Sequence, residues 1–242
     1  MKRLFDFFLS LFGLIILSPI LFIFFILIFL QDFNYPFYIA SRVGKNGVPF
    51  NMVKFRSMII DASASGVDST ASDDKRITRI GRIVRKFKID EIPQLFNVVI
   101  GEMSFVGPRP NVESETRMYS KVEQRILSVK PGITDFSSIV FSDEGDILEG
   151  SDDPDLKYNQ IIRPWKSRLA LLYIDKRTLM IDIKIIIWTV LGVFSKKYVL
   201  KNITNFLKSI NSDNLLIEVC KRVEEPMAYH PPGFNKIISK RN

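Results

Sequence analysis

The chain of 242 residues has one cysteine and one histidine. A single thiol, Cys220, excludes an intrachain disulfide and a thiolate metal cluster, and it fits a reducing compartment. The single imidazole, His230, lies in a Pro-rich tail and reads as an exposed tail residue. Zinc sites and histidine-based acid–base chemistry therefore have nothing to build on. Internal repeats are lacking too. Negative charge runs short: 34 Lys and Arg stand against 26 Asp and Glu, a net of +8. Such a balance suits nucleic acid, an anionic membrane surface or phosphorylated substrates, and composition does not choose among them. What is plentiful is apolar. The hydrophobic fraction is 47%, with 20 phenylalanines, several of them near the N-terminus. The length suits one domain with appendages.

Between Leu4 and Leu30 the only charge is Asp6, and the run is otherwise broken by Ser10, Gly13 and Ser18-Pro19. It is too long for a cleavable signal peptide and lacks a small-residue cleavage site. It is long enough to cross a membrane. Pro19 removes a backbone donor, and Ser18 beside it can satisfy the freed groups. The pair either kinks a spanning helix or bends it until both ends return to one face. Phe37 to Val43 and Pro49 to Phe55 read as strands around a Gly44–Gly47 hairpin turn. Alternation puts Lys54 and Arg56 on one strand face, either solvated or in phosphate contact. Residues 62–74 are small and polar, a flexible loop and a candidate cover.

The chain's chemistry concentrates between Asp73 and Pro110. Arg79, Arg82, Arg85 and Lys86 recur at helical spacing between Ile80, Ile83, Val84 and Phe87, giving one apolar and one basic face. Asp90-Glu91 follow, with Asp90 expected as an N-cap and Pro93 in the first turn. Adjacent carboxylates can divide labour: one attacks phosphorus or holds a divalent cation, the other manages protons or positions the cation. They can also be a plain capping pair. Gly107-Pro108-Arg109-Pro110 is a rigid turn that aims one guanidinium, whose planar fork matches phosphate.

Beyond it, Ser104 to Val106 is extended and Val112 to Val129 helical. Lys130 to Thr134 forms a rigid loop, and Glu144 to Asp155 a solvated acidic loop. Tyr158 to Tyr173 is helical, and Ile185 to Phe194 a buried or interfacial helix. Asn202 to Val223 holds one or two amphipathic helices, and Glu225 to Asn242 is expected to be disordered.

The spacing Arg85…Asp90-Glu91-x-Pro-Gln-Leu-x-Asn-Val…Gly-x-Met-Ser-x-Val-Gly-Pro-Arg-Pro resembles the bacterial sugar transferase family, the small monotopic phosphoglycosyl transferases. Lys54-Phe55-Arg56-Ser57-Met58 and Lys130-Pro131-Gly132-Ile133-Thr134 resemble further family elements. The resemblance, over roughly Lys2 to Phe194, implies an α+β fold. A re-entrant membrane hairpin (1–33, helix–break–helix at Ser18-Pro19) precedes a small, mostly helical cytosolic catalytic domain (34–200). That domain has a short β-hairpin and interfacial amphipathic helices, and a C-terminal extension (201–242) follows.

The resemblance also implies transfer of a sugar phosphate from a UDP-sugar to a polyprenyl phosphate, with Mg²⁺, at the cytosolic face of the bacterial inner membrane. Asp90 is then the nucleophile and lies beside the metal. Glu91 assists, and Lys54, Arg56, Arg85 and Arg109 bind phosphate. The segment after Thr134 departs from the family pattern, so Thr134, Asp135 and Phe136 are candidates for sugar or nucleotide selectivity. Membrane lipid is an expected partner, a second copy of the chain an open one. Nucleic acid is not expected, because the carboxylate pair would repel its backbone. A non-catalytic scaffold of a glycan assembly complex is the alternative, and it would survive replacement of Asp90 and Glu91.

Overall fold

The computed structural model describes residues 1–62 and 66–240. Helix α1 (Lys2–Asp32) is 31 residues long, about 46 Å at the usual rise. Among the described residues it is the one helix long and apolar enough to cross a membrane. It is built inside out: its buried residues are Asp6, Ser10 and Ile28, while Phe8, Phe12, Ile15, Ile16, Phe22 and Ile23 are exposed. Such a surface is stable only against a solvent as apolar as itself. The helix runs unbroken through Ser18-Pro19. Pro19 cannot donate to the Ile15 carbonyl four residues back, and the Ser18 hydroxyl donates to it instead at 2.7 Å.

Both ends of α1 are fastened to the rest of the chain. At the start, Lys2 donates to Asp182 at 2.6 Å and to the Val106 carbonyl at 3.2 Å. Asp6 accepts from the Ser104 hydroxyl and the Phe105 amide. At the far end, Asp32 takes two hydrogen bonds from Arg56, at 2.5 and 2.6 Å. There Ile28 packs with Phe55 and Val84.

A hairpin follows. Strands β1 (Phe37–Val43) and β2 (Pro49–Phe55) pair antiparallel, with Ala40 opposite Met52, at the expected residues. Helix α2 (Arg79–Lys86) is capped by the Thr78 hydroxyl, which accepts from Gly81 at 2.9 Å. Gly81 lies so close to the Ser57 carbonyl that a Cβ there would come within 1.9 Å of it. Helix α3 (Gln94–Ile100) packs along α1. Strand β3 (Ser104–Val106) pairs parallel with β4 (Gly132–Thr134), where a rigid loop was expected. The stretch expected as one helix from Val112 to Val129 splits into α4 (Glu113–Arg117) and a 3₁₀ segment, Glu123–Ser128.

Helices α5 (Phe136–Val140), α6 (Glu144–Leu148) and α7 (Pro154–Lys157) follow, α6 inside the expected acidic loop and α7 starting at its end. A π-helical turn at Tyr158–Ile162 leads into α8 (Arg163–Lys176). Helix α9 (Leu179–Phe194) buries Asp182 and Ile185 and exposes Met180, Ile187, Val190, Val193 and Phe194.

The segment after Lys201, expected as an appendage, belongs to the largest core. Helices α10 (Lys196–Ser209) and α11 (Asn214–Lys221) bring Ile203, Leu207 and Leu216 against Phe136, Trp165 and Leu169. The tail, expected to be disordered, is fastened to the body at several points between Met227 and Ile238. Trp165 donates to the Met227 carbonyl at 3.1 Å and stacks on Tyr229 at 4.9 Å. Gln160 holds the Ile238 carbonyl at 2.8 Å. His230 is half-buried against Tyr229. Part of the candidate cover, residues 63–65, lies outside the described residues; the rest of it lies against the body, with Asp155 accepting from the Ser69 amide at 2.7 Å.

Candidate active site

Asp90 is not an N-cap. It sits in a 3₁₀ turn, Ile89–Glu91, entered through Lys88 in a left-handed conformation (φ 58°). Helix α3 begins only after Pro93. The Asp90 carboxylate is thus not spent on an α3 amide, and among the described residues it has no hydrogen-bonding or ion-pair partner. It faces a cleft of about 730 Å³, also lined by Lys54, Arg85, Lys88, Glu91 and Arg109. That volume suits a nucleotide-sized ligand. Burial raises the Asp90 pKa, and the Glu91 charge raises it further, against the pull of Lys54 and Arg85. Burial brings the Lys54 ammonium down to about 8 despite the attraction of Asp90. Its Nζ also lies 5.4 Å from the centre of the Tyr38 ring.

Glu91 and Arg109 engage each other. Arg109 holds both Glu91 oxygens, at 2.8 and 2.9 Å, and the Ile133 carbonyl at 3.0 Å. Burial pushes Glu91 upward, but the guanidinium outweighs it and keeps the carboxylate well below its ordinary range. The same pair raises Arg109 against its own burial. The two side chains remain 17% and 28% exposed, so a ligand in the cleft can still reach them.

The Pro-Arg-Pro turn is held by backbone bonds, Gly107 amide to Thr134 carbonyl at 3.0 Å and Gly132 amide to Pro108 carbonyl at 2.9 Å. A Cβ on Gly132 would lie 2.1 Å from the Gly107 nitrogen, so only glycine allows this approach. Asn97 ties the Lys54 strand to the helix behind Asp90. It accepts from the Val53 amide at 3.0 Å and donates to the Asn51 carbonyl at 2.8 Å.

The structure thus brings together Lys54, Arg85, Asp90, Glu91 and Arg109. Arg56 is not with them. It lies past the end of β2, buried, with its guanidinium committed to Asp32 and the Tyr35 carbonyl. Strand alternation does not carry past Phe55, so the shared face with Lys54 is lost. Of the three selectivity candidates only Asp135 lines the cleft, where it caps α5 and accepts from Ser137 and Ser138. Thr134 turns to Thr189 at 2.6 Å, and Phe136 is fully buried and stacks on Phe206. Sequence reading missed Arg42, Lys88, Glu115 and Lys166, which also line the cleft. Only Lys88, two residues before Asp90, carried a local signal.

Among the described residues no three or more His, Cys, Asp or Glu side chains are grouped to hold a metal ion unaided. Magnesium needs no such group: it commonly takes one or two carboxylates and completes its shell with water and substrate phosphate. The open carboxylate of Asp90 fits that demand.

Comparison with known proteins bears on the chain's family. A Bacillus subtilis (strain 168) protein, provisionally named an undecaprenyl-phosphate N-acetylgalactosaminyl 1-phosphate transferase, is 49% identical over 109 residues, 45% of this chain and 61% of the relative. The Klebsiella pneumoniae UDP-glucose:undecaprenyl-phosphate glucose-1-phosphate transferase is 34% identical over 200 residues, 81% of this chain but 40% of its own length. The exopolysaccharide production protein PSS of Rhizobium leguminosarum bv. phaseoli is 35% identical over 208 residues, 81% of this chain and 96% of its own. The chain therefore spans well under two thirds of some relatives and nearly the whole of another. The sequence profile of the bacterial sugar transferases matches residues 1–196, and the chain belongs to that family.

Proposed function

We propose that this protein is a membrane-bound phosphoglycosyl transferase that moves a sugar 1-phosphate from a UDP-sugar to a polyprenyl phosphate, the first membrane step of a glycan assembly. The observation that carries the reading is Asp90: a carboxylate without a hydrogen-bonding or ion-pair partner among the described residues, in a cleft that Lys54, Arg85 and Lys88 also line. Nothing in the fold needs an open buried carboxylate there, while attack on a phosphorus shielded by negative charge does.

An Asp90 oxygen attacks the phosphorus next to the sugar. The new O–P bond forms as the bond from that phosphorus to the bridging oxygen breaks, and UMP leaves with that oxygen. An oxygen of the polyprenyl phosphate then attacks the phosphosugar–aspartyl intermediate, and Asp90 is released as a carboxylate. Lys54 and Arg85 hold the phosphate oxygens, and Arg109 offers its remaining N–H donors. Glu91, kept ionised by Arg109, positions that guanidinium rather than shuttling protons. Magnesium, held by Asp90 and substrate phosphate, would neutralise the diphosphate and ease departure of UMP.

The lipid acceptor gives a reason for α1. Both of its ends are fastened to one catalytic body, and exposed apolar side chains run along it from Leu4 to Leu30, which supports a helix that enters lipid without crossing it, with both ends at the cytosolic face of the inner membrane. The outward apolar face of α9 would rest on the same surface.

The test is UMP release from a panel of UDP-sugars, with Mg²⁺ and undecaprenyl phosphate in detergent. Release with at least one sugar, lost in Asp90→Asn, is expected. Equal release by parent and variant would refute the assignment.

A further inference from the structure

Among the groups that line the cleft, one carboxylate has no role yet. Glu115, on α4, lines the cleft, and its Oε2 is fully buried with no partner. No hydrogen bond or ion pair reaches either oxygen among the described residues. The cations that face it are engaged elsewhere. Lys166 is paired with Glu144, and Arg163 donates to Glu123 and the Met118 carbonyl, both at 3.1 Å. A buried acceptor without a donor costs stability, and a native structure keeps one where a ligand supplies the donor.

The surroundings say what kind of donor. Glu144 and Asp68 bear on Glu115 and oppose a further negative charge, and the stronger pull of Lys166 and Arg163 is shared with Glu144 and Glu123, so a neutral donor suits Glu115 better than phosphate. Burial raises the carboxyl to about 7 despite Lys166 and Arg163, so near neutrality it can donate as well as accept. Asp135, Ser137 and Ser138 line the same cleft. This is the chemistry that binds neutral vicinal hydroxyls.

We propose that Glu115 binds the hydroxyl-bearing ring of the donor, and so makes its part of the cleft a carbohydrate subsite. The inference rests on the UDP-sugar reading and names a part of that same cleft. Two rings of the donor carry hydroxyls, the transferred sugar and the ribose, and the test separates them.

Binding of UDP, UDP-glucose and UDP-N-acetylgalactosamine would be measured with Mg²⁺ in the Asp90→Asn background, which prevents turnover. Glu115→Ala is added, then Glu115→Gln, with thermal melting of each. If the sugar is held, Glu115→Ala weakens the better-bound UDP-sugar by at least about tenfold and leaves UDP within about twofold. If the ribose is held, UDP and both UDP-sugars weaken together. Glu115→Gln, which keeps the shape and a hydrogen-bonding end, should retain most of the affinity in either case. Unchanged affinity for all three probes in Glu115→Ala would overturn the proposal. So would equal loss in Ala and Gln variants that melt like the parent. If Glu115→Ala fails to fold, Glu115→Asp, which withdraws the carboxyl by one methylene, carries the same comparison. Absence of any UDP binding by the parent protein, with Asp90 and Glu115 both in place, would instead overturn the donor reading itself, and this inference with it.

Discussion

The foot of α1 and the cleft around Asp90 both gather charge, and they treat it in opposite ways. At the foot every ionised group is answered. Lys2 meets Asp182, Asp182 also accepts from the Tyr173 hydroxyl at 2.7 Å, and Asp6 meets Ser104. In the cleft Asp90 and Glu115 have no hydrogen-bonding or ion-pair partners among the described residues, and Lys54 is buried without a salt bridge among them. Charge that secures a fold is paired, because unpaired burial is costly. Charge kept for a ligand must stay open, and the fold carries that cost. The Glu91–Arg109 pair lies between these cases, closed within itself but reachable.

The sharpest break of this comparison is Asp90→Asn. Turnover should fall by at least about a thousandfold, while the melting temperature stays level or rises, since an uncompensated buried carboxylate is removed. A variant that lost stability along with activity would make Asp90 a structural group. The mirror experiment is Asp182→Ala. It removes the acceptor that Lys2 and Tyr173 share and leaves both to the Val106 carbonyl, and denaturation in detergent should show a loss of about 1–2 kcal/mol. A stability change below about 0.5 kcal/mol would mean that the foot of α1 is not what fastens it.

Lys54 and Arg56 sharpen the contrast within three residues. Lys54→Ala should raise the KM for the donor about tenfold or more, through loss of a charged phosphate contact. Arg56→Ala should leave KM within about twofold and cost about 1 kcal/mol of stability, as for a partly exposed ion pair. Equal KM effects would return Arg56 to the site.

The smallest effect is in pH. Lys54 titrates near 8 in the free protein, so its charge is present below that pH and lost above it. The profile of kcat/KM should fall on the basic side near 8, and Lys54→Arg should move that limb upward. On the acidic side the raised Asp90 pKa means that the nucleophile is lost above the ordinary carboxylate range, as pH falls. A flat profile across the basic limb would separate Lys54 from the phosphates.

The parts legible in the sequence were those whose signal is local. The hairpin from Phe37 to Phe55, the basic helix α2 and the Gly-Pro-Arg-Pro turn follow from alternation, helical spacing and proline chemistry within a few residues. The carboxylate pair was legible as a pair, but not its split, in which Arg109, eighteen residues on, takes Glu91 and leaves Asp90 open. Arg56 misled because strand periodicity says nothing past the last paired residue, and Asp32 was there to meet it. Glu115 and Lys166 entered the cleft through tertiary packing of α4 and α8, for which no spacing rule exists. The tail read as disordered because its residues are polar and Pro-rich. Its order comes from Trp165 and Gln160 on another element.

The central claim is that Asp90 forms a covalent bond to the phosphosugar before the lipid acts. Its most direct measurement uses a turned-over UDP-sugar labelled in the sugar, with Mg²⁺ and no polyprenyl phosphate, and follows label on the protein and UMP in solution. The account predicts one UMP per labelled chain, label chased onto undecaprenyl phosphate when that is added, and no label on Asp90→Asn. UMP release that waits for the lipid, with no label ever held by the protein, would contradict it and make the transfer a single displacement.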